Sequence, residues 1–333
     1  MWLSPTAGVL GLLHWVDDLL ILGSSLKALE ALKGRILTSF KGRDLGVDPE
    51  GYLGIKLERN RSKGTLKISV PTLVEALLEK TGMLDSKAQE VPMSPSVELA
   101  TQLPTDVLLE NPTPYQEAVG SLLYMATVCR PDLSLAVSVL AKAMSAPTKR
   151  HWGMLKAALR YLAGTRALGL VYSTHGNSQC LGYVDSDYAG DRDKRKSRTG
   201  FVYVLGGAAI SWQSKLQPLV ATSTAEAEYI AAFTAGKEGV WLRRVLCEFL
   251  PDHSKQPLTL RCDNQAALAM AGNTTDSNRT KHMDVRFHWL REAIGSGALS
   301  MEYVPTQDNA ADMFTKPLDA TKFKRCRELI GMR

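Results

Sequence analysis

From residue 168 to the end, strand-like and helical stretches follow one another in an order that few architectures accommodate. Strand signals lie at 168–172, 180–184, 200–205 and 208–213, rich in apolar and aromatic residues and bounded by turn formers. A long helical stretch follows at 225–250, with a break expected near Gly236 or Gly239, since glycine is a poor helix former. A strand at 258–262, helices at 265–271 and 280–294, a strand at 299–304 and a terminal helical stretch complete the series. With the first strand set aside as a lead-in, the order is three strands, helix, strand, helices, strand, helix. That order describes an α/β unit, a mixed sheet with helices packed against it.

The preceding residues read differently. Apolar runs at 9–13 and 19–22 flank Asp17 and Asp18, which predicts two buried strands joined at an acidic tip. A second strand pair is expected at 51–58 and 64–70, with its turn at 60–63. Helices are expected at 71–83, 115–128, 131–144 and 148–162, two of them opened by proline. The Pro-, Ser- and Thr-bearing stretch at 85–113 reads as a connecting loop. At roughly 100–200 residues per domain, a chain of 333 suits two or three domains. Their expected bounds are 1–70, 71–175 and 176–333.

Composition narrows the function classes. With 45% hydrophobic and 22% charged residues, the chain is neither disordered nor collagen-like. Its net charge of +6 is compatible with an anionic partner such as nucleic acid. The five cysteines form no C-x-x-C pair, so neither a zinc module nor a disulfide framework is expected, and a reducing compartment is. The first residues lack the basic start of a signal peptide, and the apolar run that follows meets His14, Asp17 and Asp18. The expectation is a soluble, intracellular protein without a membrane partner.

Four acids carry the chemical signal. Asp185 and Asp263 each end an apolar strand, Glu228 lies in the helix headed by Thr222-Ser-Thr-Ala-Glu-Ala-Glu-Tyr, and Asp312 lies in Asp308-Asn-Ala-Ala-Asp-Met-Phe. Ligand sites of α/β sheets form at strand ends and helix starts. Converging carboxylates repel one another unless a cation joins them. Hard oxygen ligands without a cysteine pair point to Mg²⁺ or Mn²⁺ rather than zinc. Two such ions polarise a phosphate and activate water. Ordinary structural roles stand beside this reading. Asp263 could cap the helix that starts at Gln265, Asp187 shares a strand face with Asp185, and Glu226 lies two residues before Glu228.

Seven ordered blocks resemble the ribonuclease H domain of Ty1/copia retrotransposons. They are Gly182-Tyr-Val-Asp-Ser-Asp-Tyr-Ala-Gly-Asp, Lys196-Ser-Arg-Thr-Gly-Phe, Ser211-Trp-Gln-Ser-Lys, Ser223-Thr-Ala-Glu-Ala-Glu-Tyr, Cys262-Asp-Asn-Gln-Ala-Ala, Arg279-Thr-Lys-His-Met-Asp-Val-Arg-Phe-His and Ala311-Asp-Met-Phe-Thr-Lys-Pro-Leu. The resemblance extends upstream through Tyr115-Gln-Glu-Ala-Val-Gly-Ser-Leu-Leu-Tyr-Met-Ala, Arg130-Pro-Asp and Arg160-Tyr-Leu-Ala-Gly-Thr. It implies that Asp185, Glu228, Asp263 and Asp312 form an acidic tetrad holding two Mg²⁺ or Mn²⁺ ions. Asp185 would bridge both ions, Glu228 and Asp263 would serve the leaving oxygen, and Asp312 the attacking water. The implied reaction is hydrolysis of the RNA strand of an RNA–DNA hybrid. Cellular relatives carry a histidine shortly before the last acid; this chain has none there. His282 and His288, six residues apart, read as surface or packing residues. A DDE-type integrase shares the sheet order, but its last acid comes from a late helix, whereas Glu302 lies in a strand pattern.

His14-Trp-Val-Asp-Asp-Leu-Leu-Ile resembles the Tyr-Val-Asp-Asp box of reverse transcriptases, with Trp15 in place of tyrosine. That implies a metal-binding role for Asp17 and Asp18 at a palm hairpin. Because the chain starts almost at this hairpin, it is expected not to polymerise alone. The full expectation is an α+β truncated palm and helical connection, then an α/β ribonuclease H-like domain with a five-stranded mixed sheet. Arg192, Lys194, Arg195, Lys196 and Arg198 form the densest cationic run and are the candidates for nucleic-acid phosphates; a solvated loop is the plain alternative. Lys149, Arg150, Lys156, Arg160 and Arg166 form a second basic set, with Arg243 and Arg244 weaker candidates. Expected partners are an RNA–DNA hybrid or duplex and other Pol-derived segments, in a cytoplasmic particle or the nucleus. The competing function is a catalytically inactive nucleic-acid-binding remnant of a transposon.

Overall fold

The computed structural model of the chain describes residues 10–97, 99, 103–250, 256–272 and 284–333. Its first element is the expected hairpin, β1 (Leu10–Trp15) and β2 (Asp18–Gly23), paired antiparallel with Trp15 opposite Asp18. The strands are not buried as expected. Leu10 is buried, but Leu13, Leu19 and Leu22 are each more than 40% exposed, since the described residues add no third strand to the hairpin. Helix α1 (Leu26–Ser39), which the sequence reading did not anticipate, follows directly. Its one clear signal is Ser25, whose hydroxyl accepts from the Ala28 N–H at 3.4 Å.

Strands β3 (Gly51–Tyr52), β4 (Ile55–Asn60) and β5 (Thr65–Ser69) form an antiparallel sheet that gains a fourth strand from far along the chain, β6 (Leu170–Ser173). The expected strand at 51–58 is split by a turn in which Leu53 and Gly54 both take positive φ. Between β5 and β6 lie α2 (Pro71–Lys80), α3 (Thr113–Val128), α4 (Ser134–Lys142) and α5 (Lys149–Gly164). Thr148 and His151 close a capping box at the start of α5.

The distal sheet has the order β11-β10-β7-β8-β9, where β7 is Leu181–Asp187, β8 Arg198–Leu205, β9 Ala208–Leu216, β10 Leu258–Cys262 and β11 Leu299–Tyr303. The first three strands form an antiparallel meander, and β10 runs parallel to both β7 and β11. This is the mixed five-stranded sheet that the order of elements predicts. Alternate residues of β8 feed two different cores. Phe201 and Tyr203 pack with α6 (Thr224–Phe249), α7 (Gln265–Gly272) and α8 (Asp284–Gly295). Val202 faces the opposite side, where α2–α5 and the terminal helix α9 (Ala320–Leu329) contribute.

The expected break in α6 does not occur. Gly236 and Gly239 lie inside one uninterrupted helix and are buried. A Cβ at Gly239 would come within 2.5 Å of the Tyr203 hydroxyl, and one at Gly236 within 3.1 Å of Leu290. The two glycines let the helix lie close on the sheet, and packing outweighs their low helix propensity.

Two upstream motifs meet in space. Arg130, fully buried, donates to both Asp132 carboxylate oxygens, and the Tyr161 hydroxyl donates to Asp132 Oδ2 at 2.6 Å. Arg130 also bonds the hydroxyl of Thr165 at 2.8 Å, and Arg327 of α9 reaches the Tyr161 hydroxyl at 3.2 Å. The Arg130-Pro-Asp and Tyr161…Thr165 blocks thus build one buried ionic network. No helix among the described residues is long and apolar enough to cross a membrane.

Candidate active site

Each of the four acids arrives on a different element. Asp185 lies near the end of the central strand β7, opposite Gly200 in the register of β8. Glu228 lies in the second turn of α6, Asp263 directly after β10, and Asp312 in a short 3-10 turn, Ala310–Phe314. One carboxylate oxygen each from Asp185, Asp263 and Asp312 lies within 4.8 Å of the others, and Glu228, Asp263 and the Cys262 sulfur form a second such group. Asp263 is common to both groups, whereas the family resemblance gives the bridging position to Asp185.

The alternatives left open by sequence have distinct places. Ser223 caps α6, its hydroxyl accepting from the Glu226 N–H at 3.1 Å, and the Glu226 carboxylate turns back to accept from the Thr222 N–H at 2.7 Å. Glu226 therefore serves the helix start, while Glu228 faces the other acids. At α7 the cap is Asn264, whose side chain accepts from the Ala267 N–H at 2.9 Å. The capping role weighed for Asp263 belongs to its neighbour. Asp187 is half-buried, faces the charges of Lys316 and Arg198, and belongs to neither oxygen group.

Sequence reasoning did not single out the groups that hold Asp312 in place. Asn309, fully buried, donates to the Val184 carbonyl at 3.0 Å and accepts from the Ala311 N–H, pinning the turn to β7. Gly200 leaves room for that turn, since a Cβ there would come within 2.8 Å of Phe314 Cβ. The Thr315 hydroxyl donates to Asp185 Oδ2. Lys316 Nζ lies 3.0 Å from Asp312 Oδ1 and 3.7 Å from Asp185 Oδ2, and Lys322 of α9 pairs with Asp312 Oδ2. The only available signal was position, because these residues flank Asp312 within or just after a quoted block.

Burial pushes the pKa values of Asp185 and Glu228 above the usual carboxylate range, with Asp312 and Asp263 adding to the rise at Asp185, and Asp185 and Asp263 adding to it at Glu228. For Asp185 the Lys316 ammonium works in the opposite direction. Burial disfavours the Lys316 charge, but Asp185 and Asp312 outweigh it and hold that pKa above the ordinary lysine value. Glu228 accepts from the Ser186 N–H at 3.3 Å through one oxygen, and its buried Oε2 has no hydrogen-bond partner. An unpartnered buried carboxylate oxygen among hard oxygen donors fits a small divalent cation such as Mg²⁺ or Mn²⁺.

The basic run divides. Arg192, Lys194 and Arg195 are exposed in the loop between β7 and β8, while Lys196 is half-buried and donates to the Pro218 carbonyl at 2.7 Å. Arg198 is not on the phosphate-facing surface expected of it. It is buried, donates to the hydroxyl of Ser138 at 2.6 Å, and has a pKa lowered to about 10 by burial. In the second basic set, Arg150 is committed to Asp106, Arg166 bonds the carbonyls of Ala163 and Leu84, and Lys149, Lys156 and Arg160 line the exposed face of α5. Asp17 and Asp18 are exposed at the hairpin, and among the described residues no third acid, histidine or cysteine groups with them. His288 is exposed, and His282 lies outside the described residues.

No family model matches the chain. A retrovirus-related Pol polyprotein from transposon TNT 1-94 of Nicotiana tabacum is 42% identical over 326 residues, covering 96% of this chain and 24% of the relative. A putative transposon Ty5-1 protein of Saccharomyces cerevisiae is 31% identical over 231 residues, covering 69% of this chain and 73% of the relative. The chain thus spans about a quarter of the length of the Pol polyproteins it matches. Among solved structures, the ribonuclease H1 LC11 isolated from compost is similar at 17% identity and a TM-score of 0.32, covering 42% of this chain and 94% of that one. A foamy viral protease-reverse transcriptase in complex with double-stranded DNA is similar at 11% identity and a TM-score of 0.49, covering 89% of this chain and 46% of that one.

Proposed function

The chain belongs to the Ty1/copia-type retrotransposon Pol polyprotein family, and from that membership we propose that residues 176–333 form a divalent-metal-dependent nuclease acting on the RNA strand of RNA–DNA hybrids. The observation that carries the reading is the convergence of Asp185, Glu228, Asp263 and Asp312 from four separate elements. Glu228 and Asp263 would hold one Mg²⁺ or Mn²⁺ ion, Asp185 and Asp312 with Asp263 the other. Such a pair, when bound, activates water and neutralises charge on the scissile phosphate. The chain's own residues do the rest. Thr315 orients Asp185, Asn309 anchors the turn bearing Asp312, and the Ser186 N–H orients Glu228.

Arg192, Lys194 and Arg195 are the proposed phosphate contacts, joined by Lys149, Lys156 and Arg160 on α5. Binding through them weakens steeply with salt. Duplex recognition of this kind follows shape and 2′-hydroxyls rather than sequence. Residues 1–70 correspond to part of a polymerase palm, with Asp17 and Asp18 as its metal-binding pair, and residues 71–175 to the connection. Other Pol-derived segments are the proposed protein partners, inside the cell.

The test is cleavage of a hybrid labelled on either strand by the purified chain in Mg²⁺, beside Asp263→Asn. The reading requires cut RNA, intact DNA and loss of cleavage in the variant. A folded chain that binds the hybrid but cuts neither strand, in Mg²⁺ or Mn²⁺, would instead be the nucleic-acid-binding remnant.

A further inference from the structure

We propose that Lys322 is a built-in counter-cation for Asp312, held there by α9, which makes the Asp312 end of the acidic site the weaker of its two metal-binding ends. The inference rests on the metal-dependent reading above and assigns a role to a residue that no sequence block marks. The Asp312 side chain is completely buried, and both its oxygens face ammonium groups, Oδ1 that of Lys316 and Oδ2 that of Lys322. The opposite end of the site has no such supply. Glu228 receives a single backbone N–H, and its second oxygen, like Asp312 Oδ1, has no hydrogen-bond partner, but unlike Asp312 Oδ1 it faces no ammonium group among the described residues. The four acids therefore present an end open to a cation and an end already neutralised from within the chain.

The position of Lys322 is set by its helix. It lies in the first turn of α9, where the Asp319 side chain caps its N–H at 3.0 Å. Five residues on, Arg327 reaches the Tyr161 hydroxyl and through it the Asp132–Arg130 pair. Phe323, between them, packs edge-on against the Tyr161 ring at 5.7 Å. α9 is thus fixed at its far end to the buried network of the helical layer, and Lys322 extends from its near end to Asp312. An ammonium group on a carboxylate oxygen competes with a metal for the same lone pairs and the same charge. Lys322, 23% exposed, can withdraw toward solvent when an ion takes Asp312. Asp312 binds a cation only at the expense of this ion pair.

The experiment is Mn²⁺ titration of the full chain, followed by electron paramagnetic resonance and calorimetry, for the wild type, Lys322→Met, Lys322→Arg and Glu228→Gln. Circular dichroism confirms that each is folded. The wild type is expected to show a tighter and a weaker ion, with Glu228→Gln abolishing the tighter one. Lys322→Met should tighten the weaker ion about tenfold, as expected when one close opposing charge is removed. Lys322→Arg, which keeps the charge, should leave it weak. If Lys322→Met still binds the tighter ion but leaves the weaker one unchanged or weaker still, the proposal is overturned and the nuclease reading stands. If the wild type binds no Mn²⁺ that Glu228→Gln removes, both fall.

Discussion

Asp185 and Glu228 show how much the site depends on what lies between its acids. Both pKa values are raised, Asp185 to about 7 and Glu228 to about 9, first by burial; Lys316 opposes the rise at Asp185 while Asp312 adds to it, and the Asp185 charge adds to the rise at Glu228. Unfolded carboxyls titrate near ~4. A carboxyl whose folded pKa is raised favours folding while protonated and opposes it once ionised. The metal-free chain should therefore lose stability as the pH rises from about 4 through 9, and should not regain it above that range. Mg²⁺ should offset the loss, raising the melting temperature more at pH 8 than at pH 5. Equal Mg²⁺ effects at the two pH values would remove the buried pair from this account. The sequence singled out four acids, Asp185 and Asp263 because each ends an apolar strand, Glu228 and Asp312 through the family blocks. Residue pattern by itself did not separate Glu228 from Glu226, or Asp263 from a cap, because both distinctions depend on which way a side chain turns at a helix start; the family resemblance chose Glu228 and Asp263.

The elements themselves follow from local pattern wherever one face is buried. β10 occupies the expected 258–262, and α2 starts at the expected Pro71. Two exceptions have physical reasons. α1 carries Leu29, Leu32 and Ile36 at helical spacing, but these are only half-buried and no residue of the helix is fully buried, so the helix is fixed by less packing than the others. α6 runs through two glycines that local propensity treats as a break, because contact with Tyr203 and Leu290 is worth more than helix propensity. Gly239→Ala tests this. On an exposed helix the change would stabilise by about 1 kcal/mol. Here the added methyl crowds the Tyr203 hydroxyl, which donates to the Ala235 carbonyl at 2.7 Å. The expected result is destabilisation by about 1–3 kcal/mol in urea unfolding, the usual cost of overpacking. A stabilised variant would mean that the helix sits farther from the sheet.

The bounds 1–70, 71–175 and 176–333 cut across interactions that hold the molecule together. β5 pairs with β6 across about a hundred residues, the chain end pairs with Gly169 through Arg333, and one core includes α2–α5, Val202 of β8 and Phe323 of α9. A linear reading finds the turns between elements but not such pairings, which are set by tertiary packing. The Arg130–Asp132 pair lies in this shared core with both side chains wholly buried. Asp132→Ala leaves the guanidinium uncompensated and should cost about 3–5 kcal/mol. It should also lower the unfolding of the helical layer and the distal sheet together, in one transition by both circular dichroism and tryptophan fluorescence. Two separated transitions would show that the layers fold independently. In the proposed nuclease the four acids, and not their neighbours, carry the cleavage. The most direct measurement is the rate of RNA-strand cleavage in a hybrid by Asp185→Asn, Glu228→Gln, Asp263→Asn, Asp312→Asn and Glu226→Gln, side by side with the wild type. The prediction is loss of at least about a hundredfold in each of the first four, and near-wild-type cleavage with lowered thermal stability in Glu226→Gln. Cleavage that survives in the four, or that is lost equally in Glu226→Gln, would contradict it.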